Sequence, residues 1–149
     1  MKIEISNGRV VDPANRIDLV QDVFIADGKV VALGQAPDGF AAERRIDASG
    51  LVVAPGFIDL AARLREPGFE YRATLESEME AAMAGGITSL AIPPDTDPVL
   101  DEPGLVEMLC YRAKKLNRAH IYAVGALTVG LKGERLAEMA ELVEAGCDM

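Results

Sequence analysis

Asp59-Leu60-Ala61-Ala62-Arg63-Leu64-Arg65-Glu66-Pro67-Gly68, led in by Pro55-Gly56-Phe57-Ile58, marks the point where strand and helix begin to alternate along this chain. The run from Phe57 to Leu64 follows a Pro-Gly break and is strand-like. Residues two apart on a strand share a face, so Asp59, Ala61 and Arg63 are expected to point the same way. A methyl group donates no electron pair, and a guanidinium is permanently protonated with no acceptor lone pair. Through the side chains of Ala61 and Arg63, therefore, no divalent ion binds.

Downstream, Thr74 is a plausible N-cap for a helix to Ala84. Leu75, Met79, Ala82 and Met83 line one face of that helix, and Gly85-Gly86 stops it. A strand is predicted over 87–92, closed by Pro93-Pro94. A helix over 105–116, a strand over 121–124 and a helix over 134–145 follow. Three such alternations predict an α/β fold with a parallel sheet of βα units over residues 55–149. A (β/α)₈ barrel takes roughly 250 residues. The chain is accordingly expected to be the N-terminal part of a truncated TIM barrel. Upstream, residues 1–54 read as short strands joined at Asn7-Gly8, Asp27-Gly28 and Ser49-Gly50. These pairs tolerate positive φ, and the segment is expected to form three hairpins in one sheet of a small, incomplete β-sandwich.

Composition narrows the function classes. Half of the 149 residues are hydrophobic and 26% are charged, which fits a globular core and not disorder. The net charge of −9 argues against nucleic acid, whose phosphates call for Lys/Arg clusters. Met1-Lys2-Ile3-Glu4-Ile5 has no apolar leader core. The longest uncharged run, Ala81 to Pro94, is too short to span a bilayer and is broken by Gly and Pro. The expected location is the cytoplasm, with Cys110 and Cys147 as reduced thiols. His120 is the only histidine, whereas metal hydrolases commonly use several.

The segment 59–68 resembles the Asp-Leu-His-Val-His-Leu-Arg-Glu-Pro-Gly signature of dihydroorotases, with both histidines gone. Pro55-Gly56-Phe57-Ile58-Asp59-Leu60, Ala84-Gly85-Gly86-Ile87-Thr88, Gly125-Ala126-Leu127-Thr128 and Gly130-Leu131-Lys132-Gly133 are similar to that family too. The resemblance implies a metal-dependent amidohydrolase barrel flanked by a β-sandwich that C-terminal strands complete. It also implies that Ala61 and Arg63 occupy the positions of the metal-binding histidines, where active relatives would use zinc. Pro93-Pro94-Asp95-Thr96-Asp97-Pro98 matches a Met-Pro-Asn-Thr-Asn-Pro segment, so Asp95 stands where an asparagine helps hold the substrate. Arg65 matches the arginine that binds the substrate carboxylate. Arg65 and Asp95 are thus expected to be vestigial substrate-binding residues, with no catalytic residue, metal site or cofactor retained. Two arrangements stay open for the mouth of the site: Arg63 or Arg65 pairs with Asp59 or Asp95, or Arg63 simply extends into solvent.

This pattern leads to the expectation of a pseudoenzyme of pyrimidine biosynthesis. Its partner would be the aspartate carbamoyltransferase catalytic chain, in a hetero-oligomer whose assembly and activity it supports. Two other readings stay open. One is an active, divergent dihydroorotase that interconverts N-carbamoyl-L-aspartate and dihydroorotate. The other is a module that senses an anionic metabolite through Arg65.

Overall fold

The computed structural model describes residues 1–148, which divide into two compact units, Met1–Pro55 and a second beginning at Gly56.

In the first unit, β1 (Lys2–Ser6) and β2 (Arg9–Asp12) belong to different sheets. β1 lies antiparallel to β4 (Val23–Ala26) and parallel to β6 (Arg44–Asp47), with β5 (Lys29–Leu33) outside β4. β2 pairs antiparallel with β3 (Ile17–Val20) and parallel with β7 (Val52–Val53). Of the three expected hairpins, only the one at Asp27-Gly28 forms. Ala26 opposes Lys29, and both turn residues have positive φ (51° and 74°), the twist that a two-residue hairpin needs.

Asn7-Gly8 and Ser49-Gly50 instead carry the chain from one sheet to the other, side by side. The Ala48 amide donates to the Ser6 carbonyl at 2.8 Å, and the Arg9 amide to the Leu51 carbonyl at 3.0 Å. The Asp47 carboxylate gathers the Asn7 side-chain amide (3.1 Å), the Ser49 hydroxyl (2.6 Å) and the Ser49 amide (3.0 Å). A Cβ on Gly8 would stand 2.5 Å from Val53 Cγ2, so the crossing needs a residue without a side chain. The expectation of one sheet is therefore corrected to two. β3, unforeseen, forms because Asp12 caps the turn at Ala14 and Asn15.

The second unit is a parallel sheet in the order β10-β9-β8. Its elements follow the sequence βαβαβα: β8 (Phe57–Asp59), α1 (Leu75–Ala84), β9 (Ile87–Ile92), α2 (Pro103–Leu116), β10 (His120–Ala123) and α3 (Met139–Glu144). Cys147 then bridges Ala123 in parallel, continuing the sheet. Leu75, Met79, Leu90, Ile92, Leu100, Val106, Leu109 and Leu142 form the core between helices and strands.

Two boundaries and one side chain differ most from expectation. β8 ends at Asp59 and not Leu64, because the Asp59 carboxylate turns back to accept from the Ala61 amide at 2.9 Å. α3 starts at Met139 and not 134. The preceding residues are held by a 3-10 turn at Val129–Leu131 and a bridge between Thr128 and Leu136. Met83 is 47% exposed and does not join the buried face of α1, which Leu75 and Met79 supply.

The Asp47 carboxyl is held below its ordinary value of 3.8, chiefly by the Ser49 hydroxyl and then by the Asn7 amide. A depressed folded-state value stabilises the fold above the unfolded value, and that contribution is lost as pH falls through the folded one. Urea midpoints measured against pH should therefore drop as the solution is acidified below about pH 4. The Asp47→Asn variant should start less stable at neutral pH and show a flatter acid limb.

Candidate functional site

In a parallel sheet the loops that follow the strands emerge at one end. The segments after β8 (60–74) and after β9 (93–102) emerge there together, and they contain Ala61, Arg63, Arg65 and Asp95. His120 opens β10 and so lies at the opposite end of the sheet.

Beyond Asp59 the chain leaves the strand, yet the Ala62 amide still donates to the Ala91 carbonyl at 2.9 Å. Ala62 and Leu64 turn into the core, leaving Ala61 and Arg63 exposed. The Arg63 Nε donates to Asp95 Oδ2 at 2.7 Å, joining the two loops by an ion pair. Asp59 takes no part in that pair, since its carboxylate serves the Ala61 amide. Arg65 is half-buried and lines a crevice with Arg63, Leu64, Phe69, Asp95 and Thr96. Among the described residues it makes no ion pair.

The crevice holds about 10 Å³, scarcely room for one water. Backbone contacts join the two loops beside it. The Asp97 amide donates to the Pro67 carbonyl at 3.2 Å, and a Cβ on Gly68 would stand 2.1 Å from the Asp97 carbonyl oxygen. Gly68 has φ +97° and Arg65 φ +64°, so the loop makes two left-handed turns within four residues.

Glu66 holds this loop from beneath and is only 3% exposed. Its Oε2 accepts from the Leu75 amide at 2.8 Å, and its Oε1 pairs with Arg112 of α2. Leu75 is the first residue of α1, and Thr74 forms a capping box with Ser77. The carboxylate thus satisfies an otherwise orphaned helix amide and sits at the positive end of the helix dipole. Reading the chain alone missed this role. A Glu-Pro step between a strand and a helix gives no sign that an arginine on the next helix will meet it.

The donor set at this mouth does not suit a divalent cation. Ala61 and Arg63 offer no lone pair, and the Asp95 carboxylate is engaged by a guanidinium. No three His, Cys, Asp or Glu side chains converge among the described residues.

Comparison with known proteins supplies context. A family model described as dihydro-orotase-like matches residues 50–149. A "Dihydroorotase-like protein" of Pseudomonas aeruginosa is 49% identical over 147 residues, covering 99% of this chain and 35% of its own length. A "Dihydroorotase" of Syntrophotalea carbinolica is 46% identical over 147 residues, covering 99% of this chain and 34% of its own length. The chain thus spans about a third of the length of the curated relatives it matches. Among solved structures, L-hydantoinase (dihydropyrimidinase) from Arthrobacter aurescens superposes with a TM-score of 0.81 at 24% identity, over 97% of this chain and 31% of that one. A dihydroorotase gives 0.61 at 19% identity, over 97% of this chain and 38% of that one. The fold is that of the amidohydrolase TIM barrels, represented here by its first βα units.

Two substitutions probe the loop. Arg112→Ala leaves the buried Glu66 carboxylate without its counter-charge and should cost about 3 kcal/mol. Glu66→Gln keeps a hydrogen-bond acceptor for Leu75 and should cost about 1–2 kcal/mol. Urea unfolding of the two variants side by side checks both the size and the order of these losses.

Proposed function

The chain belongs to the dihydro-orotase-like family, and we propose that within it this member is a non-catalytic protein of pyrimidine biosynthesis. One observation carries that reading. The mouth of the barrel segment is filled by the Arg63–Asp95 ion pair, in a stretch where the family resemblance calls for metal-binding histidines. Hydrolysis or closure of a cyclic amide by this class of enzyme relies on a cation to polarise the carbonyl and to generate hydroxide near neutral pH. Ala61 and Arg63 supply no ligand for one. Asp95 adds a further carboxylate to a site whose substrate class is itself anionic, which disfavours binding.

With chemistry set aside, the remaining role is structural. The chain serves as a partner of the aspartate carbamoyltransferase catalytic chain in a cytoplasmic hetero-oligomer, supporting its assembly and activity. Arg65 is a vestige of substrate binding. No helix among the described residues is long and apolar enough to cross a membrane.

The alternative is an active dihydroorotase that takes its ligands from elsewhere in the polypeptide. The relative named dihydroorotase at 46% identity favours it. Two measurements on the full-length polypeptide separate the readings. Co-expressed with the transferase, it should co-elute as one large assembly and raise transferase activity. Purified, it should contain well under one zinc per chain and show no dihydroorotase turnover. Stoichiometric zinc with turnover would establish the enzymatic reading, and a transferase fully assembled and active alone would remove the structural one.

A further inference from the structure

We propose that Cys110 and Cys147 form an oxidisable dithiol, which a small anionic disulfide closes into a bond that staples the end of α3 to α2. The inference does not depend on whether the mouth of the sheet is catalytic, since neither thiol lines it.

Two segments remote in sequence bring the thiols together. Cys110 sits midway along α2, and its thiol donates to the Gly146 carbonyl at 3.9 Å. Gly146 is joined directly to Cys147, so the first sulfur lies over the step into the second residue. Standard covalent dimensions put the Cys147 Cα about 2.8 Å from that carbonyl oxygen. The Cys110 sulfur is therefore within roughly 7 Å of this Cα, near the reach of a disulfide, whose Cα atoms lie about 4.4–6.8 Å apart. Burial pushes both thiols above their ordinary value of 9.0, and the next cause for Cys147 is the Cys110 sulfur itself. The two groups are thus within electrostatic reach of each other, with the Asp148 carboxylate acting on both.

Their accessibility differs. Cys147 is 6% exposed, whereas Cys110 opens onto a pocket of about 390 Å³. Lys114, Arg118 and His120 line the same pocket. Arg118 is paired with Glu80, while Lys114 makes no ion pair among the described residues. A disulfide that carries carboxylates is drawn to such a surface. The Cys110 thiolate attacks one sulfur of that reagent, breaks its S–S bond and releases one thiol. Cys147 then gives up its proton and attacks the Cys110 sulfur, releasing the second thiol. Two protein S–H bonds become one S–S bond, and the reagent takes up both protons and both electrons. α3 is six residues long, has no side-chain N-cap and buries only Leu142, so the bond holds the shortest α-helix of the unit.

Oxidised glutathione added to the folded full-length polypeptide, followed by alkylation and peptide mapping, tests this. A cross-linked peptide joining Cys110 to Cys147 should dominate, and hydrogen exchange of the amides over 139–147 should slow several-fold. In Cys147→Ala the reaction should stop with glutathione attached to Cys110, and in Cys110→Ala Cys147 should stay free. Lys114→Gln should slow closure by oxidised glutathione about twofold, an effect that salt removes, and leave closure by uncharged hydroxyethyl disulfide unchanged.

Glutathione retained on Cys110 of the unaltered protein with Cys147 free overturns the dithiol. Two unreacted thiols overturn it as well, as does a cross-link that forms only in urea. Equal rates of closure by oxidised glutathione in Lys114→Gln and the unaltered protein overturn recognition of the anion. Unchanged amide exchange in the cross-linked protein overturns the staple. The dithiol is read from the unaltered protein, so a variant that does not fold leaves that test intact.

Discussion

The buried carboxylate of Glu66 is the contact on which the second unit's site geometry depends. It lies in the loop after β8, caps the first amide of α1 and pairs with Arg112 on α2, so one side chain fixes three elements. A lone carboxylate in that position would carry a severe desolvation cost; the helix dipole and the guanidinium offset it together. Because the loop is held from below, its upper side can present Arg63 and Arg65 in left-handed and irregular backbone without coming apart. The ion pair to Asp95 then closes the top of an already rigid loop.

The two charge pairs have different characters. Glu66 is enclosed and its loss should be felt throughout the unit. Arg63 and Asp95 are about half exposed, where water and salt weaken the pair, so its loss should cost the fold little. The residues that hold the loops are thus distinct from Arg63, Arg65 and Asp95, which line the crevice. Close likeness to relatives named dihydroorotase-like and dihydroorotase is compatible with that division.

Much of the βα alternation was legible along the chain, because α1 carries its own capping residue at Thr74 and its stop at Gly85-Gly86, and apolar runs mark β9 and β10. The pairing of Arg63 with Asp95 was only one of the arrangements that the sequence left open, since a solvated Arg63 fitted it equally well. Other features depended on contacts remote in sequence. Asn7-Gly8 and Ser49-Gly50 carry the same local signal as Asp27-Gly28, yet only the last joins two strands that pair with each other. The first two cross between sheets because the Asp47 carboxylate and the Ser6 carbonyl hold them to one another, a relation that no short window contains. The end of β8 at Asp59 was likewise hidden, since a single side chain folding back on Ala61 outweighed an apolar run with strand character.

The paired crossings give the first unit an unusual sensitivity to chain length. Each runs from one sheet to the other in step with its neighbour, so the frame of β1 against β6 fixes the frame of β2 against β7. One residue inserted beside Gly8 would leave Ile3 and Ile5 in place but turn Val10 outward, as the side-chain period of a strand is two. The same insertion elsewhere, in the turn between β2 and β3, would merely lengthen a surface loop. Tolerance to insertion in this unit is therefore set by whether a bend stays within one sheet or hands the chain to the other.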